Sequence, residues 1–165
     1  MLHRVDIFGE YHDDEDRTRI EKILLERHKE HPYQFILSEE AGDGVYLTEA
    51  ERNNAIKRKI FSIGPRSYML GNNLDLPVIG IDEWDEKKFD IAGERISTKL
   101  SFKIREARML SVIKTYMAKG SCAVLIGDSH LRTVFTPELG EPSKLQSLAR
   151  KDGVTIFRSP KGEIK

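Results

Sequence analysis

Ala123-Val124-Leu125-Ile126-Gly127-Asp128-Ser129-His130-Leu131 is an apolar run, the length of one buried strand, that stops abruptly in polar residues. The chain opens in the same way, with Val5-Asp6-Ile7-Phe8 leading into Gly9-Glu10-Tyr11-His12. Both stretches read as a strand followed by Gly-x-x-His. Two further runs end in acid, Phe35-Ile36-Leu37-Ser38-Glu39-Glu40 and Pro77-Val78-Ile79-Gly80-Ile81-Asp82-Glu83. In open α/β sheets, ligands bind beyond the carboxyl ends of the strands, where successive loops converge. Four strand ends bearing His, Glu and Asp are therefore four chances to build one site.

Helical signals fill the intervals. Asp13 to Asp16 place negative charge where a helix N-terminus favours it, and Ile20, Ile23 and Leu24 follow at helical spacing, so residues 14–30 form an amphipathic helix closed by Pro32. Thr48 and Glu51 have capping-box spacing, with Ile56, Ile60 and Ile63 on one face of the next helix. Pro65 to Gly71 reads as a short helix, Asn72-Asn73 as a turn, and Ser97 to Ala118 as a long helix ended by Gly120. Ser143 to Lys151 is a last helix before a strand at Val154 to Phe157, whereas the stretch 84–94 carries no clear pattern. This alternation predicts a single α/β domain with a mostly parallel or mixed sheet of about five strands and helices on both faces.

Composition sets limits. A chain of 165 residues, 39% hydrophobic and 33% charged, is long enough for one domain with a real core. Lys and Arg number 27 against 27 Asp and Glu, so no global field draws in nucleic acid or an anionic membrane. No apolar run approaches the roughly 20 residues of a membrane helix, no signal-peptide core stands at the N-terminus, and no Gly-rich phosphate loop follows a strand. Cys122, the only cysteine, lies in an apolar run and reads as a buried, inert thiol. The expectation is a cytoplasmic protein acting on a small-molecule or peptide substrate, with neither nucleic acid nor membrane as partner.

Of the five histidines, His3, His28 and His31 sit in charged or frayed segments, and only His12 and His130 follow a strand and a glycine. The acids Glu10, Glu40, Asp82 and Asp128 fall at the same end of a parallel sheet. Each alone is an ordinary helix cap or first-turn acid. Gathered in one mouth they repel, and a metal ion, a protonated histidine or an arginine must compensate. Arg105 shares its helical stripe with Phe102, Met109 and Val112, which fits either a snorkelling side chain or a buried cation paired with a carboxylate, and Arg108 beside it reads the same way.

In order along the chain, these motifs resemble the superfamily that joins the erythromycin esterase-like proteins, the ChaN-like haem-binding lipoproteins and the TraB/Tiki proteins. Gly9-Glu10-Tyr11-His12 resembles its opening motif, Glu40-Ala41-Gly42 its glutamate motif, Gly80-Ile81-Asp82 the Asp ending its next strand, Arg105-Glu106-Ala107-Arg108-Met109 its Arg-acid helix, and Gly127-Asp128-Ser129-His130-Leu131 its closing Gly-x-x-His-Leu. The resemblance implies a site centred on His12, Glu40 and His130, supported by Glu10 and Arg105. Glu40 is preferred to Glu39 as the motif glutamate for the Ala-Gly that follows it.

A small hydrolase is the leading expectation. In one mechanism His12, Glu40 and His130, with Glu39, Asp82 or Asp128 as alternates, hold zinc, manganese or cobalt and activate a water. In the other no metal takes part, and a histidine oriented by Glu40 acts as general base. An alternative class is a non-catalytic binder of haem or another small ligand, with Tyr11 or His12 on the iron. A Gly-Asp-Ser nucleophile at Ser129 is disfavoured, because the motif comes late and its histidine is adjacent.

Overall fold

A computed structural model of the chain describes residues 2–83, 90–91, 94–95 and 97–163. The strands are β1 (Val5–Glu10), β2 (Phe35–Ser38), β3 (Val45–Tyr46), β4 (Val78–Gly80), β5 (Asp90–Ile91), β6 (Glu94–Arg95), β7 (Cys122–Gly127) and β8 (Val154–Phe157), of which β1, β2, β4, β7 and β8 come from the apolar runs. Helices α1 (Asp14–Glu30), α2 (Glu49–Lys57), α3 (Arg66–Leu74) and α4 (Thr98–Met117) alternate with them. Six strands form one mixed sheet in the order β3-β4-β2-β7-β1-β8, one more than the sequence suggests. The five expected strands are all parallel, and the addition is β3, two residues pairing antiparallel with β4 at the edge. The stretch 84–94 lies mostly outside the described residues; β5 and β6 pair antiparallel as a separate two-stranded sheet.

Helices cover both faces. Ile20 and Leu24 of α1, Ala55 of α2 and Tyr68 and Leu70 of α3 pack with Phe8, Ile36 and Leu125 on one side. Met109 and Ile113 of α4, with Leu145 and Leu148 of a 3-10 turn (Lys144–Arg150), pack with Ile7, Leu37 and Val124 on the other. Each such fully buried aliphatic side chain contributes about 1.5–3 kcal/mol through apolar burial.

Helix ends follow their caps. Asp13 accepts from Asp16 N at α1, Thr48 from Glu51 N at α2 and Ser97 from Leu100 N at α4. Two α-helix boundaries differ from the sequence reading. The helix expected to carry Ile60 and Ile63 stops at Lys57, because Lys59 turns the backbone left-handed at φ 55°. Gly71 lies inside α3 rather than after it, along with Asn72 and Asn73. A Cβ there would come within 2.6 Å of Val78 Cγ2 and 2.9 Å of Arg52 Cδ, so the glycine lets α3 approach β4 and α2. Among the described residues no helix is long and apolar enough to cross a membrane.

Candidate functional site

The chain leaves β1 and β2 for the face covered by α1, α2 and α3, and leaves the strand between them, β7, for the α4 face. Neighbouring strands whose connections depart to opposite faces open a crevice at their carboxyl ends, and such crevices are where α/β sheets bind ligands. Glu10 and Gly127 face each other across the last rung of the β1–β7 ladder, and Glu39 follows β2 directly. The first strand therefore runs two residues beyond Phe8, through Gly9, which sits against Asp128 and Leu131 with no room for a side chain.

The crevice has two arms. In the first, His12 Nδ1 lies 3.4 Å from Glu10 Oε1 and 3.8 Å from Glu40 Oε1. Arg66 Nη2 donates to Glu10 Oε2 at 2.5 Å, and Arg17 donates to Glu40 Oε1. Both carboxylates are buried, but the imidazole keeps 34% of its surface exposed. The Glu10 carboxylate on Nδ1 raises the His12 pKa above 6.5, outweighing the ring's partial burial, and the charges of Glu39 and Glu40 add to it. Burial pushes Glu40 upward as well, against the pull of Arg66 and Arg17.

The second arm encloses His130, only 2% exposed. Its Nδ1 lies 3.1 Å from Glu106 Oε1 and its Nε2 3.2 Å from Glu39 Oε1. Arg105 donates to Asp82 at 2.6 Å and to Glu39 at 3.3 Å, and Arg132 donates to Glu106. Phe102 stacks on the imidazole at 4.5 Å between centroids, and Arg105 and Arg132 lie over the Phe102 ring at 5.5 and 5.7 Å. Burial alone would lower the His130 pKa, but its bonds to Glu106 and Glu39 hold it up at about 9. Burial alone would raise Glu39, but the His130 and Gly127 N–H donors and the charge of Arg105 bring it to about 2. At neutral pH this arm is an imidazolium and two guanidiniums matched against three carboxylates.

Gly127 is where the arms meet. Its N–H donates to Glu39 Oε2 at 2.5 Å. A Cβ built on it would lie 3.1 Å from Glu39 Oε2, 3.4 Å from His12 Nε2 and 3.8 Å from His130 Cδ2. His12 and His130 thus border one narrow gap at Gly127, where even a Cβ would crowd Glu39.

The structure brings Glu10, His12, Glu39, Glu40, Asp82, Arg105 and His130 to this end of the sheet and leaves other named residues out. Asp128 takes Arg158 and the Ser159 N–H, and Ser129 is exposed. Tyr11 is also exposed, His28 accepts from Tyr33 N, and Cys122 is buried with its thiol pushed up to about 12. Among the described residues, the one group of three or more His, Cys, Asp or Glu whose ligand atoms all lie within 4.8 Å of one another is Glu10, His12 and Glu40. His130, expected as a third ligand, stands outside it with both nitrogens facing carboxylates. Glu39 and Glu40 both contribute, one to each arm.

Sequence reasoning missed Glu106, Arg132, Arg17 and Arg66 as members of the site. Glu106 had a usable signal: it lies three residues before Met109 and seven before Ile113, the buried stripe of α4, and a buried acid requires a cation. No protein-family model, curated protein or solved structure matches this chain.

Proposed function

We propose that the protein is a hydrolase that activates water with His12 as general base. One observation carries this: Nδ1 of His12 faces two buried carboxylates, while Nε2 faces the gap beside Gly127. A base needs that polarity, with one nitrogen held by an acid and the other open toward the reacting proton. In the step, neutral His12 takes a proton from water at Nε2 as the water oxygen bonds to a carbonyl carbon and the carbonyl π pair moves onto oxygen. Collapse breaks the bond to the leaving oxygen or nitrogen, which receives the proton from His12. An ester or amide and one water become an acid and an alcohol or amine. The His130 imidazolium, whose Cδ2 lies 3.8 Å from the Cβ position at Gly127, places positive charge on the side where the anion develops. The order of motifs resembling the erythromycin esterase-like, ChaN-like and TraB/Tiki superfamily supports the same reaction class.

A second reading has its own support. Glu40 Oε2 is buried without a hydrogen-bond partner, and an orphaned carboxylate oxygen beside Glu10 and His12 fits a zinc, manganese or cobalt ion held by these three residues. Such an ion supplies Lewis acidity and lowers the pKa of a water.

The test is hydrolysis of 4-nitrophenyl esters and amino-acid 4-nitroanilides by purified protein, before and after chelation, beside His12→Ala. Activity that survives chelation but not His12→Ala supports the general-base reading. Activity restored only by added zinc, manganese or cobalt, with one ion bound per chain and none in Glu40→Gln, supports the metal. Equal hydrolysis by wild type and His12→Ala rejects both.

A further inference from the structure

Beside the His130 arm lies a second cavity, of about 550 Å³, between the start of α4 and the loop 132–142. Its walls are preformed. Thr136 and Gly140 exchange backbone hydrogen bonds at 2.9 and 2.8 Å, and Ser143 N donates to Arg132 O at 3.0 Å. Gly140, at φ 85°, would set a Cβ 3.7 Å from Lys99 Cγ, so the turn rests on that lysine's stem. Glu106 and Arg132 contribute to the floor and are already engaged with each other and with His130.

The lining combines two features. Phe135, 56% exposed, and Leu100, 38% exposed, present apolar surface together with Leu139 and Pro142. Lys99, Lys103 and Lys144 ring the same space, and among the described residues no ion pair involves any of them; Lys99 Nζ rests 5.7 Å from the Phe135 centroid. With Glu106 neutralised by Arg132 and His130, three lysines stand against Glu141 alone. Two of them occupy the first turns of α4, the positive end of its dipole, where α1 and α2 carry acids. An apolar wall beneath unpaired cations is complementary to a molecule with an apolar body and a single anionic end.

We infer that this cavity is a binding site for a small amphipathic anion, an aryl or aliphatic carboxylate or sulfonate, its body against Phe135 and Leu100 and its charge among Lys99, Lys103 and Lys144. The volume falls in the range of pockets that enclose drug-sized ligands. The assignment is independent of hydrolysis, because the cavity and its charges stand apart from His12.

The experiment titrates the full chain with 8-anilinonaphthalene-1-sulfonate and, in parallel, with N-phenyl-1-naphthylamine, the same ring system without the sulfonate. The expected result is saturable binding of one sulfonate per chain, with the neutral compound weaker by about tenfold, as two or three exposed ion pairs provide. Lys103→Glu combined with Lys144→Glu weakens the sulfonate by a similar factor and leaves the neutral probe unchanged, whereas Phe135→Ala weakens both. Near-ultraviolet circular dichroism checks that the variants fold. Should they not, raising the salt on wild-type protein replaces them, and it weakens the sulfonate alone. Equal affinity for the two probes, indifference of the sulfonate to lysine reversal or salt, or absence of saturable binding overturns the assignment. None of these outcomes depends on whether His12 is a base.

Discussion

His12 and His130 arrive by the same device, a strand, a glycine and two further residues, yet the fold assigns them opposite conditions. One ring is a third exposed, with a single nitrogen held; the other is sealed, with both nitrogens bonded to carboxylates. A half-free imidazole exchanges protons with whatever enters the gap. A ring locked between two acids and stacked on Phe102 is a fixed positive charge. The same local motif thus yields a half-open imidazole and a structural cation, and the difference comes from which helix the loop meets. His130 packs against α4, which brings Glu106, whereas His12 lies beside Arg17 and Arg66, which engage its carboxylates and leave its outer nitrogen alone.

The most severe way to break this contrast is to remove each ring. His12→Ala is expected to lower hydrolysis by about 10²–10⁴-fold, the usual worth of a general base, with a melting temperature close to wild type. Hydrolysis of 4-nitrophenyl esters and a thermal melt read both quantities. His130→Ala is expected to do the reverse in emphasis. It leaves buried Glu106 and half-buried Glu39 beside an unbalanced network, which costs about 3–5 kcal/mol of stability by urea unfolding. If His12→Ala proves the more destabilising, the division of labour is wrong.

Gly127→Ala sharpens the contrast at the point of contact. The backbone there, φ −61°, ψ 134°, accepts alanine, so the cost falls on the gap. With a methyl 3.4 Å from His12 Nε2, a loss of activity of about tenfold or more is expected, with a smaller change in stability. Retention of full activity places the reacting atoms elsewhere.

The pH dependences separate the rings further. His130 rises from 6.5 in the unfolded chain to about 9 in the fold, so its contribution is complete below pH 6.5 and is lost as pH climbs through 9. Glu39 falls from 4.5 to about 2, so its contribution is complete above pH 4.5 and is lost as pH drops through 2. Urea midpoints measured across pH should therefore be highest for this pair between 4.5 and 6.5, and the alkaline decline should vanish in His130→Gln. Activity should instead rise with pH through a single limb centred above 6.5, where His12 loses its proton. The smallest expected effect is that Glu10→Gln moves that limb to lower pH, read from the profile of kcat/KM.

The architecture was legible where period and punctuation agree. Ile7, Ile36, Val78, Val124 and Ile156 mark their strands, and Asp13, Thr48 and Ser97 mark helix starts, because burial and capping act through neighbouring residues. What was illegible depended on contacts distant in sequence. Nothing near Gly71 shows that α3 must press on β4, and β3 is too short for any alternation to register. Within the site, the histidines and acids stood at strand ends and could be read. Arg17 and Arg66 reach Glu40 and Glu10 from 23 and 56 residues away, across an interval that composition does not mark. Glu106 alone was readable and overlooked, since an acid on a buried helical stripe announces a missing cation.

One tether carries a practical consequence. Asp128 grips Arg158 and the Ser159 N–H, and Lys161 reaches back to Asp13 at 2.6 Å, the residue that caps α1 just after His12. The segment 158–161 therefore works as a strap buckled onto the loop that bears His12. An affinity handle or fluorophore fused beyond it would tug on that buckle, so assays of turnover are better run on protein labelled elsewhere.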